Sequence, residues 1–207
     1  MTQQAAPGAV PPDLVELGRI TSAYGVKGWV KVQPHSAQAE VLRSVKQWWL
    51  VRPAPQVAAG APAHVPTVYA VAQARPQGST VVAQLAGLSD RDQAEALRGC
   101  LVMAARSAFP KPDDDEYYWV DLIGCDLYSD ADGAPHLLGR VAEVLDNGAH
   151  AVLRVARLRA APAGGEPEVV LDAKGRPAEI LVPFVRAHIH GVDLAARRID
   201  SDWPAEY

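Results

Sequence analysis

The side chains with the widest chemical repertoire in this chain are six histidines and two cysteines, and their spacing suits catalysis poorly. Of His35, His64, His136, His150, His188 and His190, only the last two lie close together. Two apart on a strand, they would share a face and could hold a metal if a third ligand came from elsewhere. No matching cysteine or carboxylate pair accompanies them. Cys100 and Cys125 stand in apolar contexts without a CxxC spacing and read as reduced structural thiols of a cytoplasmic protein. Cys125 also lacks a basic neighbour that would lower its pKa for nucleophilic work. The acidic run at 113–116 lacks the alternating ligands and the glycine of a calcium loop. Glycines at 18, 25 and 28 are followed by a strand pattern rather than a helix, which excludes a dinucleotide fingerprint and points to a turn or bulge. No serine sits in a nucleophile elbow, and no glycine-rich loop ends in Lys-Ser or Lys-Thr. The residues therefore offer no catalytic, metal or cofactor site.

They do offer surface. Tyr117, Tyr118 and Trp119 directly follow the acidic, proline-flanked stretch 110–115. Tyr and Trp bury much area at low entropic cost and keep a polar tip, so such a cluster either seals two folded units together or binds a partner. On a strand, Tyr117 and Trp119 would face one way and Tyr118 the other. The basic side chains of Arg19, Lys27 and Lys31 gather around the loop at 25–28, either as a solvated rim or as contacts to RNA phosphate.

The elements that must position these residues are short strands. Residues 14–20, 29–34, 47–51, 67–74, 79–85 and 100–103 carry period-two or short apolar patterns, with turns at 21–28 and 75–78. Residues 37–45 allow one or two helical turns. Ser89 followed by Asp92 marks a helix start over 91–98, and Gly99 its stop. Five or six strands with one brief helix describe a small β-barrel. Past the acidic run the pattern resumes with strands at 119–127, 139–145, 150–155, 168–171 and 178–184. Asp146-Asn147-Gly148 joins two of them as a hairpin. A helical turn is expected at 185–190 and a closing pair at 192–194 and 198–200. Proline- and alanine-rich loops fill 52–66 and 157–167.

A length of 207 residues suits two such domains, with 49% apolar and 21% charged residues, enough for packed cores. No apolar run approaches the ~20 residues that cross a bilayer, and residues 1–12 read as a disordered leader rather than a secretory signal. Charge is uneven. Residues 1–115 carry 11 basic and 9 acidic side chains, while 116–207 carry 9 and 15. An acidic second half argues against a protein that coats nucleic acid by counterion release alone, and makes the first half the better candidate for touching RNA.

Several stretches together resemble the ribosome maturation factor RimM family. They are Gly18-Arg19-Ile20 through Tyr24-Gly25-Val26-Lys27-Gly28, then Gly87-Leu88-Ser89-Asp90-Arg91 with Ala94-Glu95-Ala96-Leu97-Arg98-Gly99, then Tyr117-Tyr118-Trp119-Val120-Asp121-Leu122-Ile123-Gly124, Gly139-Arg140-Val141 and Ile180-Leu181-Val182-Pro183-Phe184. The blocks run in the expected order over 13–203. One departure is Tyr24, where the family signature carries His, which speaks against chemistry at that side chain. The resemblance implies an all-β chain of two small barrels. The leader at 1–12 would precede a translation-factor-like six-stranded barrel at 13–107, an acidic linker at 108–116 and a PRC barrel at 117–207. It implies a cytoplasmic, non-catalytic assembly factor without cofactor. Such a factor binds the maturing small ribosomal subunit near its head, engages small-subunit ribosomal protein number nineteen through the PRC barrel, and promotes small-subunit rRNA processing. Tyr117 and Tyr118 would then be ribosome-binding anchors, and Arg19, Lys27 and Lys31 candidate rRNA contacts. The rival readings are an RNA-processing enzyme with an unrecognised site and a PRC-type scaffold for a membrane complex, which would carry a flanking transmembrane segment.

Overall fold

The computed structural model describes residues 9–35, 39–53, 65–113, 116–161 and 165–204. Most of the expected leader and of the 52–66 loop, the start of the expected helix at 37–45, Asp114 and Asp115, and the middle of the 157–167 loop lie outside the described residues. The chain divides into two units, Met1–Lys111 and Pro112–Tyr207.

In the first unit β1 (Leu14–Tyr24), β2 (Trp29–Pro34), β3 (Gln47–Val51), β4 (Thr67–Gln77), β5 (Thr80–Leu85) and β6 (Leu101–Ala105) close into a barrel in the order β1-β2-β5-β4-β3-β6. Every neighbouring pair is antiparallel. Alternation sends Ile20, Val30, Val32, Val81, Ala83 and Leu85 inward, each at most 1% exposed, and leaves their neighbours on the outer wall. Short helices α1 (Ala39–Ser44) and α2 (Arg91–Glu95) interrupt the strands.

Besides β1 running on to Tyr24 and α2 ending at Glu95 instead of 98, two details depart from the sequence expectations. The N-cap of α2 is Asp90, not Ser89. Its carboxylate accepts the Gln93 N–H at 2.9 Å, while the Gln93 side chain returns to the Ser89 N–H at 2.9 Å, so the reciprocal pattern is set one residue later. The β4–β5 turn consists of Gly78 and Ser79, since Gln77 pairs with Thr80. Arg75 therefore stands inside β4, not in the turn assigned to 75–78. Gly78, at φ 58°, can adopt the left-handed conformation that a two-residue turn demands.

The second unit holds α3 (Trp119–Leu122), β7 (Asp126–Ser129), β8 (His136–Asp146), β9 (Ala151–Arg159), β10 (Glu168–Val169), β11 (Glu179–Pro183), β12 (Ile189–Asp193) and β13 (Arg198–Ser201). Its sheet runs β10-β9-β8-β7-β13-β12, with β11 on the same edge of β9 as β10. β13 pairs with β7 in parallel, the one parallel pairing among the described strands. Leu122, Cys125, Leu127, Leu138, Val141, Leu153, Val155, Ile180, Val182 and Ile199 form one buried cluster drawn from α3 and five strands. The Asp146-Asn147-Gly148 hairpin is present, tightened by the Asn147 side-chain oxygen Oδ1, which accepts from the N–H groups of Ala149 and His150. Among the described residues no helix is long and apolar enough to cross a membrane.

The expected strand over 119–127 is the largest correction. Its first half is the helical turn α3, and only from Asp126 does the chain pair as β7. The Asp121 N–H donates to Tyr118 O, and the Ile123 N–H to Trp119 O. Coiling the segment brings Leu122 and Cys125, three apart, into the core at 0% exposure, a spacing that a strand would have sent to opposite faces. Both faces of the segment are apolar, so periodicity alone did not separate the two forms.

Candidate functional site: two surfaces, one on each unit

The aromatic run enters the second unit through α3, whose N-cap residue is Tyr118 at φ −70° and ψ 130°. Because a helical turn follows, strand alternation does not govern how Tyr117, Tyr118 and Trp119 are disposed. Tyr117 packs edge-on against Phe184, with ring centroids 6.1 Å apart and planes at 85°, beside the buried cluster. Tyr118 is half-buried. Tyr117, Phe184, Val185, Arg186, Ile189, His190 and Val192 line a groove of about 530 Å³. The groove is built from distant parts of the chain: Tyr117 just before α3, residues 184–186 just after β11, and β12. Apolar and aromatic side chains there meet polar and charged ones, a combination that recognition sites use to bind and orient a partner.

His188 and His190 belong to the neighbourhood of this groove, but as parts of a local ion cluster. His188 Nδ1 lies 3.0 Å and His190 Nε2 4.0 Å from the Asp202 carboxylate, and the His188 ring stands edge-on to Trp203 at 4.9 Å. The described residues contain no group of three or more His, Cys, Asp or Glu side chains arranged to hold a metal ion. Burial pushes the Cys100 and Cys125 thiols above their ordinary pKa, which keeps them protonated. The Cys125 thiol donates to Asp121 O at 3.3 Å.

On the first unit, Arg19 and Lys27 are exposed and Lys31 is half-buried. Val30 and Val32 point inward, so Lys31 and Trp29 emerge on the outer wall. Their register partners Ser22 and Tyr24 share that side, as does Arg19 opposite Gln33. The fold thus brings Arg19 and Lys31 to one face, with Lys27 in the turn at its end. That turn is seated by Gly28. At φ 74° it takes a left-handed conformation, and a Cβ there would meet the Leu88 carbonyl at 2.8 Å. The Ala23 N–H, which donates to Glu95 Oε2 at 3.1 Å, ties the same corner to α2.

The sequence did not single out Arg75. Register puts it opposite Val82, whose other partner is Lys31, and its guanidinium lies over the rings of Trp29 and Tyr24 at 5.4 and 5.8 Å from their centroids. A hairpin turn placed two residues later would have exposed this relation, since it moves Arg75 onto the wall.

Electrostatically the units differ more sharply than the halves of the sequence. Residues 1–111 carry 11 basic and 6 acidic side chains, net +5, and 112–207 carry 9 and 18, net −9.

Family models for the RimM N-terminal domain and the RimM PRC barrel domain match residues 15–109 and 119–207. The chain is 72% identical to the ribosome maturation factor RimM of Bordetella pertussis over the full length of both. It is 46% identical to that of Cupriavidus taiwanensis, covering 96% of this chain and 89% of the relative. A crystal structure of RimM from Pseudomonas aeruginosa is 29% identical, covers 94% of this chain and all of its own, and superposes with a TM-score of 0.41. With both family models in order along one chain and full-length relatives of this identity, the protein belongs to the RimM family of ribosome maturation factors.

Proposed function

We propose that this chain is a cytoplasmic, non-catalytic assembly factor that binds the maturing small ribosomal subunit at its head. It docks on small-subunit ribosomal protein number nineteen through the second unit and promotes processing of small-subunit rRNA, with Arg19, Lys27 and Lys31 of the first unit as rRNA contacts. The observation that carries the docking half is the groove beside Tyr117 on a unit of net charge −9. Its aromatic and aliphatic side chains supply area to bury, and the net negative charge of the unit attracts and orients a basic ribosomal protein. Tyr117 contributes to the wall of that groove and Tyr118 stands next to it at the entry of α3.

Replacing Tyr117 and Tyr118 by Ala, singly and together, is expected to abolish co-sedimentation with small subunits while the far-ultraviolet circular dichroism spectrum stays unchanged. A collapsed spectrum would instead assign these rings to packing. RNA turnover by the wild-type chain that disappears in His188→Ala or His190→Ala would overturn the non-catalytic reading.

A further inference from the structure

The corner of the first barrel where β1 turns into β2 carries a stack for which the docking role has no use. Tyr24 and Trp29 are register partners and emerge side by side. Arg75 reaches across from β4 and lays its guanidinium over both rings, and the Tyr24 hydroxyl donates to Gln77 Oε1 at 3.4 Å. Tyr24, Val26, Lys27, Trp29 and Arg75 line a groove of about 320 Å³. Val26, at its tip, is 74% exposed. Among the described residues neither Arg75 nor Lys27 has a carboxylate partner.

We propose that this corner is a stacking site for an unpaired base of single-stranded RNA, with Arg75 as the platform and Lys27 on the adjoining phosphate. A guanidinium is flat, always charged and weakly hydrated, and bases stack on such planes as they do on aromatic rings. Here two rings fix the plane before any ligand arrives, so little side-chain freedom is left to lose on binding. Lys27, an exposed point charge on the same turn, suits a phosphate rather than a base edge. The net +5 of this unit favours a polyanion. A duplex keeps its bases stacked on one another and cannot present a free face. An acidic peptide would satisfy the two cations but leave the plane without a flat partner. The site rests on the assembly reading, whose substrate offers unpaired rRNA, and gives that reading a nucleotide-binding chemistry.

The test titrates the full chain into a fluorescein-labelled single-stranded RNA of about ten nucleotides, and into the matching duplex, by anisotropy. Arg75→Lys keeps the charge and removes the plane. It is expected to weaken single-strand binding about ten-fold or more while leaving thermal unfolding and duplex binding unchanged. Lys27→Ala is expected to lower the slope of log affinity against log salt by about one. Single-strand binding by Arg75→Lys equal to wild type, duplex bound as tightly as single strand, or displacement of the RNA by polyglutamate at equal concentration would each overturn the site. Tyr117→Ala, assayed for subunit co-sedimentation in parallel, separates the two readings. If Tyr117→Ala loses subunits while Arg75→Lys binds RNA normally, the stacking site falls and the docking surface stands. If the pattern is reversed, docking through Tyr117 falls and the stacking site stands.

Discussion

Asp13 fastens the start of β1 to the segment that leaves β6. Its carboxylate accepts the Ser107 N–H at 2.8 Å, and its carbonyl accepts the Arg106 N–H at 2.9 Å. A backbone donor aimed at a carboxylate favours the ionised form, so the Ser107 N–H holds the Asp13 carboxyl below its usual range. A carboxyl depressed in the folded state contributes stability above its unfolded pKa and loses it as pH falls through the folded value. Asp13→Asn is therefore expected to lower the urea midpoint at neutral pH, and the gap from wild type should close below about pH 4. An unchanged gap at acid pH would mean that the clasp does not depend on charge. The cysteines give the complementary case. Burial raises both thiol pKa values, and a buried protonated thiol is a poor nucleophile. Neither Cys100 nor Cys125 should react with iodoacetamide in the native chain, and both should react once urea unfolds it. Mass spectrometry after a timed quench reads this directly. That these cysteines are structural was legible in the sequence from their apolar neighbours. The importance of Arg75 was not, because it depends on a register that spans three strands.

At the scale of elements, α3 shows where local pattern and tertiary structure disagree. Trp, Val and Ile favour strands, yet a helical turn wins because it buries Leu122 and Cys125 together and because Gly124 can follow it. Gly124 has φ 80° and its N–H donates to Val141 O at 2.7 Å. The Arg197 guanidinium donates to Ile123 O at 2.8 Å and would collide with a Cβ on residue 124. Gly148 also has positive φ, 84°, but has open space around it. Gly124→Ala should therefore destabilise by more than the roughly 1–2 kcal/mol that the left-handed backbone alone costs an alanine, because the displaced guanidinium gives up its hydrogen bond to Ile123 O, and Gly148→Ala by only about that amount. Equal urea midpoints for the two variants would remove the Arg197 contact from the account. The barrel strands were legible because one buried face imposes alternation, and the 146–148 hairpin because its residues suit positive φ. The parallel pairing of β13 with β7 was not, since partners 72 residues apart, such as Tyr128 and Asp200, leave no local trace. The groove at Tyr117 was legible only in its residue types. Its walls come from the segment before α3, the segment after β11 and β12 itself, and only the fold brings the first to the others.

For the molecule as a whole, the separation of charge matters more than the net −4. A basic first unit and an acidic second unit attract opposite partners, and each attraction is screened within a Debye length of about 10 Å at 0.1 M salt. Steering and holding should then divide between different groups on the second unit. On the proposed docking, its 18 carboxylates would act on the approach of a basic ribosomal protein, whereas the groove would act after contact. Surface charge mainly sets association rates and buried contacts mainly set dissociation rates. In a surface-binding experiment with small-subunit ribosomal protein number nineteen immobilised, raising salt from about 0.05 to 0.3 M should slow association several-fold and leave dissociation nearly constant. Tyr117→Ala should do the reverse, hastening dissociation about ten-fold or more with little change in association. If salt acted on dissociation and the tyrosine on association, charge would be part of the buried contact, and the groove would not be the seat that holds the complex.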